Sequence, residues 1–183
     1  MECQPAHHWH AHIRIRGASR REPGRRMSVL DLKSSIGPAI AYGSLYAHEA
    51  ALNVDISAVG QGVYVKITGL TTGELSDVSV NSDAFRVGII GKYKIDWQVS
   101  GDSAGNNKDY EFDIFVNSVE KPDGSARRGF GGAGSLGSMS GTAILDITST
   151  SHDIDLRVKE TGSGGGTDFD IFNLGFNVVR LGP

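Results

Sequence analysis

Imidazole is the commonest transition-metal ligand, and His7, His8, His10 and His12 crowd into the stretch HHWHAH near the start of the chain. On an unstructured arm such a tract captures nickel, copper or zinc adventitiously, and that reading outweighs a built site. Arg14, Arg16, Arg20, Arg21, Arg25 and Arg26 follow in the same arm and offer contacts to phosphate. Two aspartate pairs, Asp153 with Asp155 and Asp168 with Asp170, are each spaced two apart. That spacing sets each pair on one face of an extended chain, where converging loops would build an oxygen site for calcium. The same spacing is the polar face of any half-exposed strand, and this is the favoured reading.

The remaining reactive groups do not assemble into a catalytic set. GFGGAG, residues 129–134, satisfies the dinucleotide pattern G-x-G-x-x-G, but the pattern needs a strand before it and a helix after it to hold a pyrophosphate. Here another strand pattern follows, so the tract is read as a loop joining two strands. GSLGSMSG likewise lacks the helix that a nucleophile elbow requires. His48 and His152 are the only histidines of the body, and no spacing places either beside a serine and a carboxylate. Cys3 lies in the arm, and Glu49 with Asp55 is a poor acid–base pair. No catalytic, cofactor or metal residue is assigned.

The elements that would position any site are strands. In GKYKIDWQVS, residues 91–100, Tyr93, Ile95, Trp97 and Val99 fall on one face and Lys92, Lys94, Asp96 and Gln98 on the other. This predicts a central strand with its aromatic face against an opposing sheet. YEFDIFVNS repeats the alternation with Tyr110, Phe112, Ile114 and Val116 inward. Further strands are predicted at 40–47, 51–57, 62–70, 77–80 and 85–90, then in SGTAILDITST, DIDLRVKE and a closing strand with Phe172, Leu174, Phe176 and Val178 inward. TTGELS is read as a turn, and Gly101 to Asp109 and Lys121 to Gly137 as loops free to bind. About ten short strands without a helical period, together with 25 glycines, predict an all-β antiparallel sandwich or jelly roll.

Bulk properties narrow the partners. A chain of 183 residues with 39% hydrophobic residues forms one domain, with or without an arm, and needs no disulfide, which its single cysteine could not form internally. The formal net charge of -3 argues against nucleic acid or an acidic membrane as the partner, and no apolar run is long enough to insert. Composition changes at Met27. This predicts that 1–26 is an upstream extension outside the native product or a disordered arm, that 27–39, with Pro38, is an attachment arm, and that 40–183 is the domain.

The order of FRVGIIGKYKIDWQVS, YEFDIFVNS, MSGTAILDI leading to HDIDLRV, and FNLGFNVVRL, preceded by YGSLY at 42–46, resembles the C1q/tumour-necrosis-factor-like jelly-roll superfamily, particularly stand-alone phage and bacterial surface members. The likeness spans roughly 40–181. It departs at Asn117-Ser118, where Asn-Gly is usual, and at His152-Asp153, where Gly-Asp is usual, and no Gly-X-Y stalk precedes the head. The resemblance implies a homotrimer with Tyr42, Tyr46, Tyr93, Trp97, Phe112, Phe115, Phe172 and Phe176 as core or trimer-packing residues. It also implies a non-enzymatic virion component, a capsid decoration or tail-fibre head meeting a host-surface glycan or protein. The alternative is a secreted or cell-surface bacterial binding module.

Overall fold

The computed structural model describes residues 40–162 and 165–183; the expectations for the arm, its histidines and its arginines lie outside these residues. Eleven strands follow in order: β1 Tyr42–Val54, β2 Val65–Lys66, β3 Thr71–Ser76, β4 Val78–Val80, β5 Phe85–Val87, β6 Gly91–Ser103, β7 Lys108–Val116, β8 Val119–Phe130, β9 Leu136–Ile147, β10 Asp153–Glu160 and β11 Phe169–Gly182. They form two antiparallel sheets. The first has the order β3-β1-β11-β6-β9 and the second β4-β5-β10-β7-β8, with β2 paired to β10.

The alternation in GKYKIDWQVS does what period two requires. Tyr93, Ile95, Trp97 and Val99 are buried, and β6 lies inside the first sheet between β11 and β9. Trp97 stacks on Phe112 of the opposing sheet at 5.6 Å, and Phe112, Phe130 and Tyr110 surround Phe169. Such offset and edge-on pairs add to the burial energy of the rings. The core therefore holds Tyr93, Trp97, Phe112 and Phe176 from among the aromatics singled out in the sequence.

Two bulges change the reading of the strand faces. The two strands expected at 40–47 and 51–57 are one, Tyr42–Val54, because β1 continues through a register shift between His48 and Leu52, where Glu49 takes a positive φ of 49°. The shift moves the inward set from Leu45 and Ala47 to Val54. Opposite it, β11 shifts between Ile171 and Asn173, so Ile171 and Leu174 both point inward while Phe172 leaves the core. The inward place expected for Phe172 is thus corrected: an extra residue in one strand reverses the parity.

The expected 62–70 strand shrinks to Val65–Lys66, and TTGELS is a strand, β3, rather than a turn. The loop expected from Lys121 to Gly137 is also corrected. Most of it is β8 and β9, joined by a short connection at 131–135, and the 101–109 loop contracts to 104–107. The β7–β8 turn is two residues, Asn117 and Ser118, both at positive φ, a hairpin geometry that Asn tolerates better than most residues. Between Phe112 and Ile114 the β7–β8 register jumps from Ala126 to Lys121, so residues 122–125 bulge out of the ladder. Within the bulge the Gly124 carbonyl oxygen accepts the Trp97 indole N–H at 2.9 Å. A Cβ on Gly141 would collide with that same oxygen and come within 2.6 Å of the indole nitrogen, so the closure needs glycine there.

Candidate functional site

The outward face of the first sheet is built in cross-strand rows. Tyr42, Val179, Lys94 and Ile144 are aligned across β1, β11, β6 and β9. Below them run Ser44, Asn177, Asp96 and Thr142, then Tyr46, Gly175, Gln98 and Ser140, then His48, Asn173, Ser100 and Ser138. Tyr42 is 39% and Tyr46 42% exposed although both sit in the body of the sheet, and Ile144, at 59%, is more exposed still. Because Gly175 has no side chain, Tyr46, Gln98, Ser100, Ser138 and Asn173 rim a depression of about 490 Å³. On this face Lys94 pairs with Asp96 at 2.8 Å, and Asp96 also accepts the Thr142 hydroxyl at 2.6 Å. These contacts hold its carboxyl below the ordinary value although burial opposes them.

The outward face of the second sheet is finished differently. Arg86 forks onto Asp153 at 2.8 and 2.7 Å, Arg157 onto Asp155 at 2.6 and 3.1 Å, and Arg127 meets Asp109 at 2.8 Å. The Arg86 guanidinium holds the Asp153 carboxyl below its ordinary value. Phe115 lies on this face, but the Tyr64 ring covers it edge-on at 4.8 Å and the Arg157 guanidinium sits 4.3 Å above it. Its expected cover by a partner is therefore supplied from within the chain. Tyr64 is in turn capped by Lys159, whose ammonium lies 4.2 Å from the ring centre.

The aspartate pairs do not converge. Asp153 and Asp155 are committed to Arg86 and Arg157, Asp168 accepts the Ser57 amide at 2.9 Å, and Asp170 accepts the Asn53 side chain at 2.9 Å. His48 lies on β1 and His152 just before β10, with no shared partner. Among the described residues the one group of three clustered acidic side chains is Glu111, Asp113 and Glu120, which the sequence reading passed over. The Tyr64 hydroxyl occupies its centre, 2.8 Å from Glu111, 3.2 Å from Glu120 and 3.4 Å from Asp113. The place a cation would take is thus filled by a phenol, which burial and Glu111 keep protonated. The only sequence signal was Glu111 and Asp113 two apart inside YEFDIF; Tyr64 and Glu120 reach the cluster from other elements.

Another buried acid, Glu160, pairs with Lys108 at 2.9 Å at one end of the sandwich. Nearby, the Tyr110 hydroxyl bonds Ser103 and the Asp168 carbonyl, and burial raises its pKa to about 12. These groups tie β6, β7, β10 and the start of β11 together; they present no nucleophile to an open cleft.

Two antiparallel sheets of these orders, wrapped around one core, make the fold a jelly-roll β-sandwich. No protein-family model matches the sequence, and no curated protein sequence is similar to it. Among solved structures, the chain is similar to PRD1 vertex protein P5, with 10% identity and a TM-score of 0.53 over 87% of this chain and 90% of that one. It is also similar to the globular domain of the zebrafish complement 1qA protein, with 16% identity, TM-score 0.48, and 77% and 96% covered. A further similarity is to murine APRIL at pH 5.0, with 13% identity, TM-score 0.45, and 76% and 99% covered.

Proposed function

We propose that the chain is a non-enzymatic structural head that assembles as a homotrimer through the outward face of its first sheet and serves as a virion component. The observation that carries this reading is the difference between the two outward faces. Among the described residues, Tyr42, Tyr46, Leu136, Ile144, Val179 and Leu181 are large apolar side chains exposed on strands of the first sheet, whereas Val119 is the only one on strands of the second. Apolar surface left in water costs roughly 25 cal/mol per Å², and a second copy of the chain is a common way to cover it. The Gly175 depression gives a partner side chain a place to seat.

Tyr42, Tyr46 and the partly exposed Phe172 are the packing residues in this reading; the other aromatics singled out in the sequence support the face from behind or, in the case of Phe115, lie on the opposite one. The virion role draws support from the fold shared with a vertex protein over nearly the whole of both chains.

Light scattering coupled to size exclusion on the full chain tests the assembly. Three times the chain mass is expected, falling to one with Tyr46→Glu and Ile144→Asp combined; a monomeric wild type overturns the reading. Mass spectrometry of purified particles tests the location. Recovery of the chain from the secreted or cell-surface fraction alone would move it to a glycan- or protein-binding surface module.

A further inference from the structure

The acidic cluster on the opposite face poses a problem of proton counting. Asp113 is fully buried in β7, where the β7–β8 register jump leaves it no opposing residue on β8. Its Oδ1 accepts the Ile114 amide at 2.8 Å. Its Oδ2 faces the Tyr64 hydroxyl, but a phenol has one proton, and the shortest of its three contacts is to Glu111. The carboxylate oxygens of Glu111, Asp113 and Glu120 lie within 4.8 Å of one another.

The cations around Asp113 and Glu120 are engaged with other groups. From β10, Lys159 pairs with Glu111 at 3.1 Å and Arg157 with Asp155. From β8, Arg127 pairs with Asp109, and from β2, Lys66 reaches the Ser82 carbonyl. Asp113 and Glu120 thus have no cation of their own among the described residues. Two carboxylates this close, one of them buried, cannot both ionise cheaply.

We propose that a proton shared between Asp113 and Glu120 closes an acid-dependent clasp that holds the Tyr64 segment and the β7–β8 turn over Phe115, and that loss of this proton opens it. Burial, then the hydrogen bond and charge of Glu120, then the charge of Glu111 push the Asp113 carboxyl up to about 6, against the opposing Ile114 amide. A raised carboxyl pKa stabilises the closed state fully below the ordinary carboxylate value, and the contribution is lost as pH rises through about 6. Glu120 is exposed and lies two residues past the turn, so it is the member free to swing away. Its departure and that of Tyr64 would bare Phe115 beside Arg157. The clasp lies on the second sheet and does not depend on the trimer reading.

Carboxyl-carbon NMR titration of the full chain should place the Asp113 midpoint near 6; a midpoint in the ordinary carboxylate range overturns the proposal. Amide-exchange protection at 61–66 and 117–121 should fall about tenfold or more between pH 5 and pH 8, the factor carried by one pH unit of extra proton affinity. Asp113→Asn, which keeps the shape and supplies a donor, should hold protection constant over that range, and Glu120→Gln should do the same. Wild-type protection that does not change with pH overturns the clasp. So does protection restored at pH 8 by millimolar calcium in the wild type and not in Asp113→Asn, since a cation would then be the closing partner.

Discussion

The two outward faces of this sandwich share one core and one backbone architecture, yet they treat water in opposite ways. The second sheet pairs its charges internally, Arg86 with Asp153, Arg157 with Asp155, Arg127 with Asp109 and Lys159 with Glu111, and lays Tyr64 over its one outward phenylalanine. The first sheet's outward face carries the Lys94–Asp96 pair and, among the described residues, leaves Tyr42, Tyr46, Ile144 and Val179 exposed. A face whose groups already satisfy one another gains little from a partner. A face of exposed rings and small neutral side chains around a depression gains most of what association offers.

The core is common to both, so disturbing it should erase the comparison. Trp97→Ala removes the ring that stacks on Phe112 and the donor to Gly124, and is expected to cost about 3–5 kcal/mol in denaturant unfolding, weakening both faces together. Ile144→Asp should sharpen the comparison. It places a charge in the proposed interface and is expected to weaken association by a few kcal/mol, hundredfold or more by sedimentation, while monomer unfolding stays near wild type. The reciprocal change on the other face, Arg157→Ala, strands the buried Asp155 carboxylate and uncovers Phe115. It should cost about 2 kcal/mol in stability and leave the oligomer mass unchanged.

pH separates the groups within the second face. Asp153, held below the ordinary carboxylate value chiefly by Arg86, contributes stability above that value and loses it as pH falls through its lowered pKa. The difference in thermal midpoint between wild type and Arg86→Ala should therefore be largest near neutrality, shrink with salt and vanish in strong acid, opposite in sign to the trend for Asp113. Smallest of all, Lys94→Ala on the first face should shift monomer stability by less than about 0.5 kcal/mol, because the pair it breaks is solvent-exposed.

Strands whose own pattern matches their burial were readable from the sequence. Tyr93, Ile95, Trp97 and Val99 alternate cleanly because β6 packs one face on the core and shows the other to the outside. β8 was not readable, since VEKPDGSARRGF combines proline, glycine and charges that signal a loop. It is a strand because β7 offers it a hydrogen-bonding edge, a tertiary cause that local propensity does not register. Phe172 was assigned to the wrong face because alternation cannot announce an added residue. The face proposed for the partner was half visible, through Tyr42 and Tyr46, while the rows that join them to Val179 and Ile144 depend on register. The acidic cluster escaped because Tyr64 and Glu120 meet Glu111 and Asp113 only after the sheets are folded.

The bulge at residues 122–125 matters beyond the Trp97 bond it makes. β8 is an edge strand, and an unbroken edge of free N–H and C=O groups is a template on which another chain can add and grow without limit. Here the ladder is interrupted midway, a proline removes one donor, and Gly124 turns its carbonyl inward to the indole, away from any newcomer. Strand addition is obstructed along that side of the molecule, so the assembly proposed above would have to form through contacts between faces rather than by extending a sheet.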